Sequence, residues 1–150
     1  MRVVKMDMPT QNDKVEMVRK GGGKIWYPEL SNFCPESVGV RCTIHSHVWV
    51  GDGVYIGDDV RIQAFAFIPN GVRIGNNVFI GPRVTFTNDK RPPSDSWSDT
   101  IVEDDVSIGA GAVILPGLTL GEGCIIGAGA VVTKSVPRGE TWVGNPAKKL

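Results

Sequence analysis

Few residues of this 150-residue chain are obvious carriers of chemistry. There are two histidines, His45 and His47, and three cysteines, Cys34, Cys42 and Cys124. A histidine can work as a general base near neutral pH. Neither of these has a carboxylate beside it in sequence to orient it for that role, so His47 reads either as a base or as a surface or interface residue. Two histidines, only two residues apart, fall short of a three-histidine zinc site. The odd cysteine count and the lack of a CxxC pair indicate a reducing compartment without structural zinc or disulfides. Two further concentrations of polar groups remain. One is Asn88-Asp89-Lys90-Arg91, followed by two prolines and Trp97; the other is a tail carrying Lys134, Arg138, Lys148 and Lys149. What either can do depends on the elements that hold it.

Those elements follow from a repeat. Stepping by six from Val38 gives Ile44, Val50, Ile56, Ile62, Ile68, Ile74, Ile80 and Phe86. Stepping by six from Val102 gives Ile108, Ile114, Leu120, Ile126 and Val132. All fifteen anchors are large and apolar, where a composition 41 % hydrophobic would supply about six by chance. Glycine often follows the anchor, and a small or medium residue stands four positions after it, Cys42 and Cys124 among them. A period of six is a multiple of the strand period and does not keep one face of a helix. β-Branched anchors favour strands, and the glycines favour tight turns. The expectation is an all-β chain, a parallel β-helix of hexapeptide repeats, in which residues eighteen apart stack and both cysteines serve packing.

The register fails once, between Phe86 and Val102, which predicts a long loop at 87–101; loops of that length are often functional. The tail also leaves the repeat, and its prolines and glycines exclude a continuous helix. The expected organisation is an N-terminal arm or cap at 1–32, with Gly21-Gly22-Gly23 as a joint and Trp26 and Tyr27 covering the open end. A repeat region follows at 33–136, then a tail at 137–150. Sixteen basic and sixteen acidic residues cancel, which argues against a nucleic-acid or anionic-membrane surface. No apolar run approaches the ~20 residues of a membrane span. Residues 1–20 lack a signal-peptide pattern, and a cytoplasmic location is expected.

The repeat resembles the left-handed β-helix acyltransferase superfamily, in which three hexads make one triangular coil. That resemblance implies about five coils here, and it supplies the handedness. Three stretches carry a closer likeness: VFIGPRVTFTNDKRP (78–92), SIGAGAVILPG (107–117) and GNPAK (144–148). Together they look like nucleotide-sugar N-acetyltransferases acting on 3-amino sugars during surface-polysaccharide synthesis, over about residues 33–148.

The resemblance implies acetyl-CoA as co-substrate, no metal, and a homotrimer with sites between neighbouring prisms. Gly109, Ala110, Gly127 and Ala128 would meet the pantetheine; Asn145 and Pro146 would pack by the adenine; Lys134, Arg138, Lys148 and Lys149 would take CoA phosphates. Asn88 and Asp89 would hold the acceptor sugar. His47 would be a base only across a trimer interface, since the face Val50–Val54 separates it from Asn88. Such relatives often carry His and Glu where this chain has Phe65 and Asn70. Competing readings are an O-acetyltransferase of a small hydroxylated acceptor, which usually uses a His base, and a non-catalytic solenoid. A zinc hydratase on the same prism would need a third histidine.

Overall fold

The structure is a computed structural model described over residues 10–150; the first nine residues of the expected N-terminal arm lie outside the described residues. Each hexad folds into a short strand and a corner. Along the strand the anchor points inward and its neighbour outward, as for buried Ile62 beside exposed Arg61. Fourteen of the fifteen anchors are 0–1 % exposed, and Val38, at the end of the stack, is partly buried. Burying a side chain of that size contributes about 1.5–3 kcal/mol, so the anchor column is the main source of stability.

Three flat faces enclose this core. The first holds seven parallel strands, Lys24–Ile25, Thr43–Ile44, Arg61–Ile62, Phe79–Ile80, Ser107–Ile108, Ile125–Ile126 and Thr141–Val143, with Lys148–Lys149 added antiparallel at its edge. The second holds Trp49–Val50, Phe67–Ile68, Thr85–Phe86, Val113–Ile114 and Val131–Val132. The third holds Tyr55–Ile56, Val72–Ile74, Thr100–Val102 and Thr119–Leu120. The register is the expected one: Ile44 pairs with Ile62 and Ile62 with Ile80, while Val50 pairs with Ile68.

The stack is taller than the five expected coils. The first face gains a rung at each end from strands outside the hexad count. Lys24 pairs with Thr43, nineteen residues on, and Ile125 with Thr141, sixteen residues on. Neither spacing fits a period of eighteen, so stepping by six misses both. The loop is also shorter than expected, Thr87 to Asp99. Thr100 already pairs with Val72 and is 1 % exposed, occupying an inward position of the third face. That pairing spans twenty-eight residues, so the insert adds one loop to an unbroken ladder.

The segments flanking the repeat add elements that the hexad count did not mark. The helix Gln11–Lys20 stands over the lower end. Thr10 caps it: its Oγ1 accepts the Asp13 N–H at 3.2 Å and its own N–H donates to the Asp13 carboxylate at 2.8 Å, a reciprocal cap. Val18 and Phe33 are buried there, whereas Trp26 and Tyr27 are 52 % and 61 % exposed and do not cover the core. Gly21-Gly22-Gly23 is a packed turn: a Cβ on Gly23 would lie 2.5 Å from the Cys42 carbonyl oxygen and 2.9 Å from Val18. The tail closes the upper end as a strand pair, with Ala147 buried and Trp142 against the core.

Candidate functional site

The three corners of the prism differ in what caps their turns. At the third corner, between the third and first faces, polar side chains cap the turn of the neighbouring coil. Asp58 Oδ1 accepts the Val40 N–H at 2.9 Å, Asn76 Oδ1 accepts the Asp58 N–H at 2.9 Å, and Asp104 Oδ1 accepts the Asn76 N–H at 2.7 Å. The equivalent positions of the first corner, between the first and second faces, include Ala110 and Ala128, which have no such side chains. Their N–H groups have no hydrogen-bond partner among the described residues. Both alanines are exposed, one coil apart. The N–H groups of Gly109 and Gly127, by contrast, are committed to the ladder, donating to the Ile126 and Trp142 carbonyls at 2.8 and 2.9 Å. Those two glycines are there for stacking: a Cβ on Gly109 would lie 2.5 Å from the Ala128 nitrogen, and one on Gly127 2.7 Å from Val143 Cγ1.

Along the same corner runs a column of side chains that ends abruptly. His47, Phe65 and Arg83 occupy left-handed positions, φ 57°, 64° and 59°, which are uncommon for residues other than glycine. The His47 and Phe65 rings stack at 4.6 Å, and the Arg83 guanidinium lies 5.9 Å from the Phe65 centroid, a cation–π distance. The next two positions are Gly111 and Gly129, where an added Cβ would meet nothing within 4 Å. The corner is therefore bare for two coils, beside the two unpaired N–H groups. His45 stands outside this column and stacks on Trp26 at 6.3 Å.

The second corner, between the second and third faces, carries the long loop. Asp89 organises it: its carboxylate accepts the Arg91 N–H at 2.8 Å and the Ser94 N–H at 2.7 Å, with the Ser94 hydroxyl at 2.8 Å. Burial acts to raise the Asp89 pKa, but these hydrogen bonds outweigh it and hold the carboxyl below its ordinary value. The Ser98 N–H closes the neck on the Asn88 carbonyl at 3.0 Å. The Asn88 side-chain amide donates to the Asn70 carbonyl one coil below at 3.4 Å, and its side-chain oxygen has no hydrogen-bond partner among the described residues. His47 and Asn88 lie on different corners, as expected. The face between them is the second, Trp49–Val50 and its stacked neighbours, rather than 50–54.

The cations of the tail do not act as one group. Lys134, Lys148 and Lys149 line a pocket of about 180 Å³ with Thr133, Trp142, Pro146 and Ala147. Lys149 is held by Glu140 at 2.9 Å, and the Trp142 indole N–H donates to the same carboxylate at 2.8 Å. The Trp142 bond and then Lys149 keep Glu140 below its ordinary value. Arg138 lies at the third corner and pairs with Glu122 at 3.1 Å, away from the pocket. Asn145 is exposed in the turn before Pro146. Sequence reasoning singled out the Gly109-Ala110 and Gly127-Ala128 turns but not the bare glycines Gly111 and Gly129 that follow Ala110 and Ala128. The Gly-Ala-Gly triplets at 109–111 and 127–129 were the available signal. A broader groove of about 470 Å³, bounded by Tyr55, Arg73, Ile101, Glu103 and Glu122, lies on the third face, on the Arg138 side of the prism and apart from the first corner and the loop. The described residues contain no cluster of three metal-ligating side chains and no helix long and apolar enough to cross a membrane.

Residues 53–88 and 99–134 match the family model described as bacterial transferase hexapeptide (six repeats). The chain is 47 % identical over 76 residues to the 2,3,4,5-tetrahydropyridine-2,6-dicarboxylate N-acetyltransferase of Staphylococcus aureus, 51 % of this chain and 31 % of that enzyme. Against a Schizosaccharomyces pombe protein, 42 % identical over 87 residues, it covers 42 % of the length; the chain thus spans less than half of the curated relatives it matches. Among solved structures, WeeI from Acinetobacter baumannii superposes with TM-score 0.66 at 27 % identity over 93 % of this chain and 65 % of that one. The acetyltransferase domain of PglB from Neisseria gonorrhoeae, solved with acetyl coenzyme A, gives 0.67 at 25 % over 85 % and 54 %. PerB from Caulobacter crescentus, solved with CoA and GDP-perosamine, gives 0.67 at 24 % over 85 % and 54 %. The fold is the left-handed β-helix.

Proposed function

Because the chain belongs to the left-handed β-helix superfamily of hexapeptide-repeat acyltransferases, we propose that it transfers an acetyl group from acetyl-CoA to the amino group, at C3, of a nucleotide-linked amino sugar. The pathway would be surface-polysaccharide synthesis in the cytoplasm, and the working unit a homotrimer. The observation that carries the reading is the first corner: two unpaired N–H groups one coil apart beside a bare strip, on a prism that presents an ordered Asn88-Asp89 loop at another corner. Likeness to structures that hold CoA, acetyl-CoA or GDP-perosamine supports it. In this reading the pantetheine arm lies along Ala110 and Ala128 and the CoA phosphates meet Lys134 and Lys148. Asn88 accepts a hydrogen bond from the sugar, and Asp89 keeps the loop in shape.

The chemistry asks little of the side chains. A sugar amine flanked by oxygens resembles an α-amino group, with pKa about 7.7–8.0, so part of it is neutral at pH 7. Its nitrogen attacks the thioester carbonyl and a tetrahedral oxyanion forms. An N–H donor at the corner stabilises that oxyanion by about 3–4 kcal/mol. The C–S bond then breaks, the thiolate leaves with the electron pair, and the proton released by nitrogen passes to the thiolate or to water. Holding the partners together supplies up to ~7–11 kcal/mol of the barrier. No strong base is needed, which fits Phe65 standing at the bare corner's edge.

The test is acetyl-CoA turnover against UDP-, dTDP- and GDP-linked amino sugars, beside serine, a galactoside and the tetrahydrodipicolinate-type amine. Acetylation of a nucleotide amino sugar is expected. Turnover of only the hydroxyl acceptors, or none with any acceptor, would sink the reading.

A further inference from the structure

The first corner carries one permanent charge. Its stacked turns, 45–47, 63–65, 81–83, 109–111 and 127–129, contain no carboxylate and a single guanidinium, that of Arg83. Their other titratable groups are His45 and His47, and Glu29 lines a pocket with His47, two coils below Arg83. The strands of the two faces beside this corner also lack carboxylates; the first face carries Lys24 and Arg61 lower down and Lys148 and Lys149 at its upper edge. On the loop that a shared site would bring to this corner, Lys90 and Arg91 are cations and Asp89 is committed to its own arch. The third corner is the opposite case, with Asp58 and Asp104 capping its turns. Arg83 itself is exposed and makes no ion pair among the described residues. It is held from below and open above. Its N–H donates to the Ala64 carbonyl at 3.0 Å, and its guanidinium lies over the Phe65 ring, which His47 backs. Gly111 stands in register over it, with the Gly111 N–H on the Pro82 carbonyl at 2.8 Å, and an added Cβ there would meet open space. Arg83 is thus the last side chain before the bare strip begins.

A lone cation at the end of a bare channel, on a corner without carboxylates, is placed to meet a negative charge that a reaction creates. On the acetyl-CoA reading above, the CoA phosphates meet Lys134 and Lys148 at the top of the stack. The pantetheine then descends past Ala128 and Ala110, and the strip from Gly129 to Arg83 is two rungs, or about 10 Å. Its thioester arrives at Arg83. Resting on that reading and deepening it, we propose that Arg83 is a catalytic residue: its guanidinium faces the thioester and stabilises the negative charge that forms there. The acceptor lone pair bonds to the carbonyl carbon and the π pair moves to oxygen. The oxygen pair then re-forms the carbonyl, the C–S bond breaks, and sulfur leaves with both electrons. The proton released by nitrogen goes to that thiolate or to water. Arg83 stays protonated throughout and acts through its charge and its N–H donors, first on the oxyanion and then on the sulfur. Phe65 positions it through the cation–π contact.

The test has two arms. The first needs no acceptor: the thiol pKa of CoA bound to the intact protein, read from thiolate absorbance against the desulfo-CoA complex so that the protein's own cysteines cancel. A guanidinium beside the sulfur should lower that pKa by about one unit or more relative to free CoA. Arg83→Gln should still bind CoA and lose the shift. The second arm is turnover. Arg83→Gln should lower kcat by about 10²-fold and leave the KM for acetyl-CoA within about threefold, because the charge that Arg83 meets is absent from the ground state. Arg83→Lys keeps the charge without the planar fork and should recover part of both effects, which a purely structural role would not. A bound-thiol pKa that Arg83→Gln leaves unchanged, or a kcat within about twofold of the parent, overturns the proposal. The two readings separate. A lowered thiol pKa that depends on Arg83, with no amino sugar acetylated, leaves the Arg83 site standing and removes the proposed acceptor. An amino sugar acetylated by a protein whose bound-thiol pKa ignores Arg83→Gln does the reverse.

Discussion

His47 shows how stacking decides what a residue is for. Its ring lies flat under Phe65, with the Arg83 guanidinium beyond, and no carboxylate among the described residues pairs with it. In the proposed reaction the acceptor amine is partly neutral without help, so His47→Asn should leave kcat/KM within about threefold, with the acid limb of the pH profile still set by the amine near 7.7–8.0. A drop of about 10²–10⁴-fold, the usual contribution of a general base, with that limb abolished, would place His47 at the chemistry. The thiols make a second case. Cys42 and Cys124 are 1 % and 0 % exposed, and burial pushes both pKa values up, that of Cys124 to about 11. The reactive form is the thiolate. At pH 8 a thiol reagent should therefore modify only Cys34 in the native protein and all three cysteines after unfolding; rapid native labelling of a second thiol would contradict this packing.

Glycines that look alike in the repeat do different work within the elements. At Gly109 a Cβ would collide with the Ala128 backbone nitrogen at 2.5 Å, whereas at Gly111 it would meet open space. Gly109→Ala should then destabilise the fold by about 1–3 kcal/mol through overpacking, and Gly111→Ala by about 1 kcal/mol through its left-handed φ alone. Thermal melts that ranked them the other way would refute the stacking role. The loop makes a pH prediction. The Asp89 carboxyl is held below its unfolded value, so its contribution is present above that value and disappears as pH falls through the lower, folded one. Proteolytic nicking near Trp97 should rise in acid below the ordinary carboxylate range, and Asp89→Asn should nick at neutral pH. These distinctions mark the limit of what was legible in the sequence. The anchors could be read because a buried strand position tolerates only apolar residues, and eighteen-residue stacking repeats that demand. The end rungs at spacings of nineteen and sixteen, the inward Thr100 and the short polar helix Gln11–Lys20 broke the period, so they could not be read. The bare positions Gly111 and Gly129 were hidden for another reason: what a turn exposes depends on which side chain the next coil offers, which spacing does not encode.

The whole molecule poses the question that no single corner answers. The bare strip at Gly111 and Gly129 and the loop at Asn88 lie on opposite edges of the second face, across a width of roughly 15 Å at ~3.3 Å per residue. In the proposed reaction a thioester at one edge could not meet a sugar amine at the other, so the proposal requires a site that takes its corner from one protomer and its loop from the next. Head-to-tail pairing whose rotation closes gives a ring, and for the proposed homotrimer light scattering should return three times the 16.2 kDa chain mass. Function can test this independently of mass. Gly111→Phe should block the corner by continuing the side-chain column that Phe65 occupies two coils below, and Asn88→Ala should cripple the loop; each homo-oligomer should be nearly inactive. Dissociated, mixed in equal amounts and reassembled, the two should form some sites with an intact corner and an intact loop. With random assembly each is intact half the time, so about a quarter of the parental activity should return, as a ring of shared sites requires. If the mixture stays at the sum of the two inactive parents while mass analysis shows mixed rings, corner and loop belong to one protomer, and the acceptor must reach the thioester by a path over the second face.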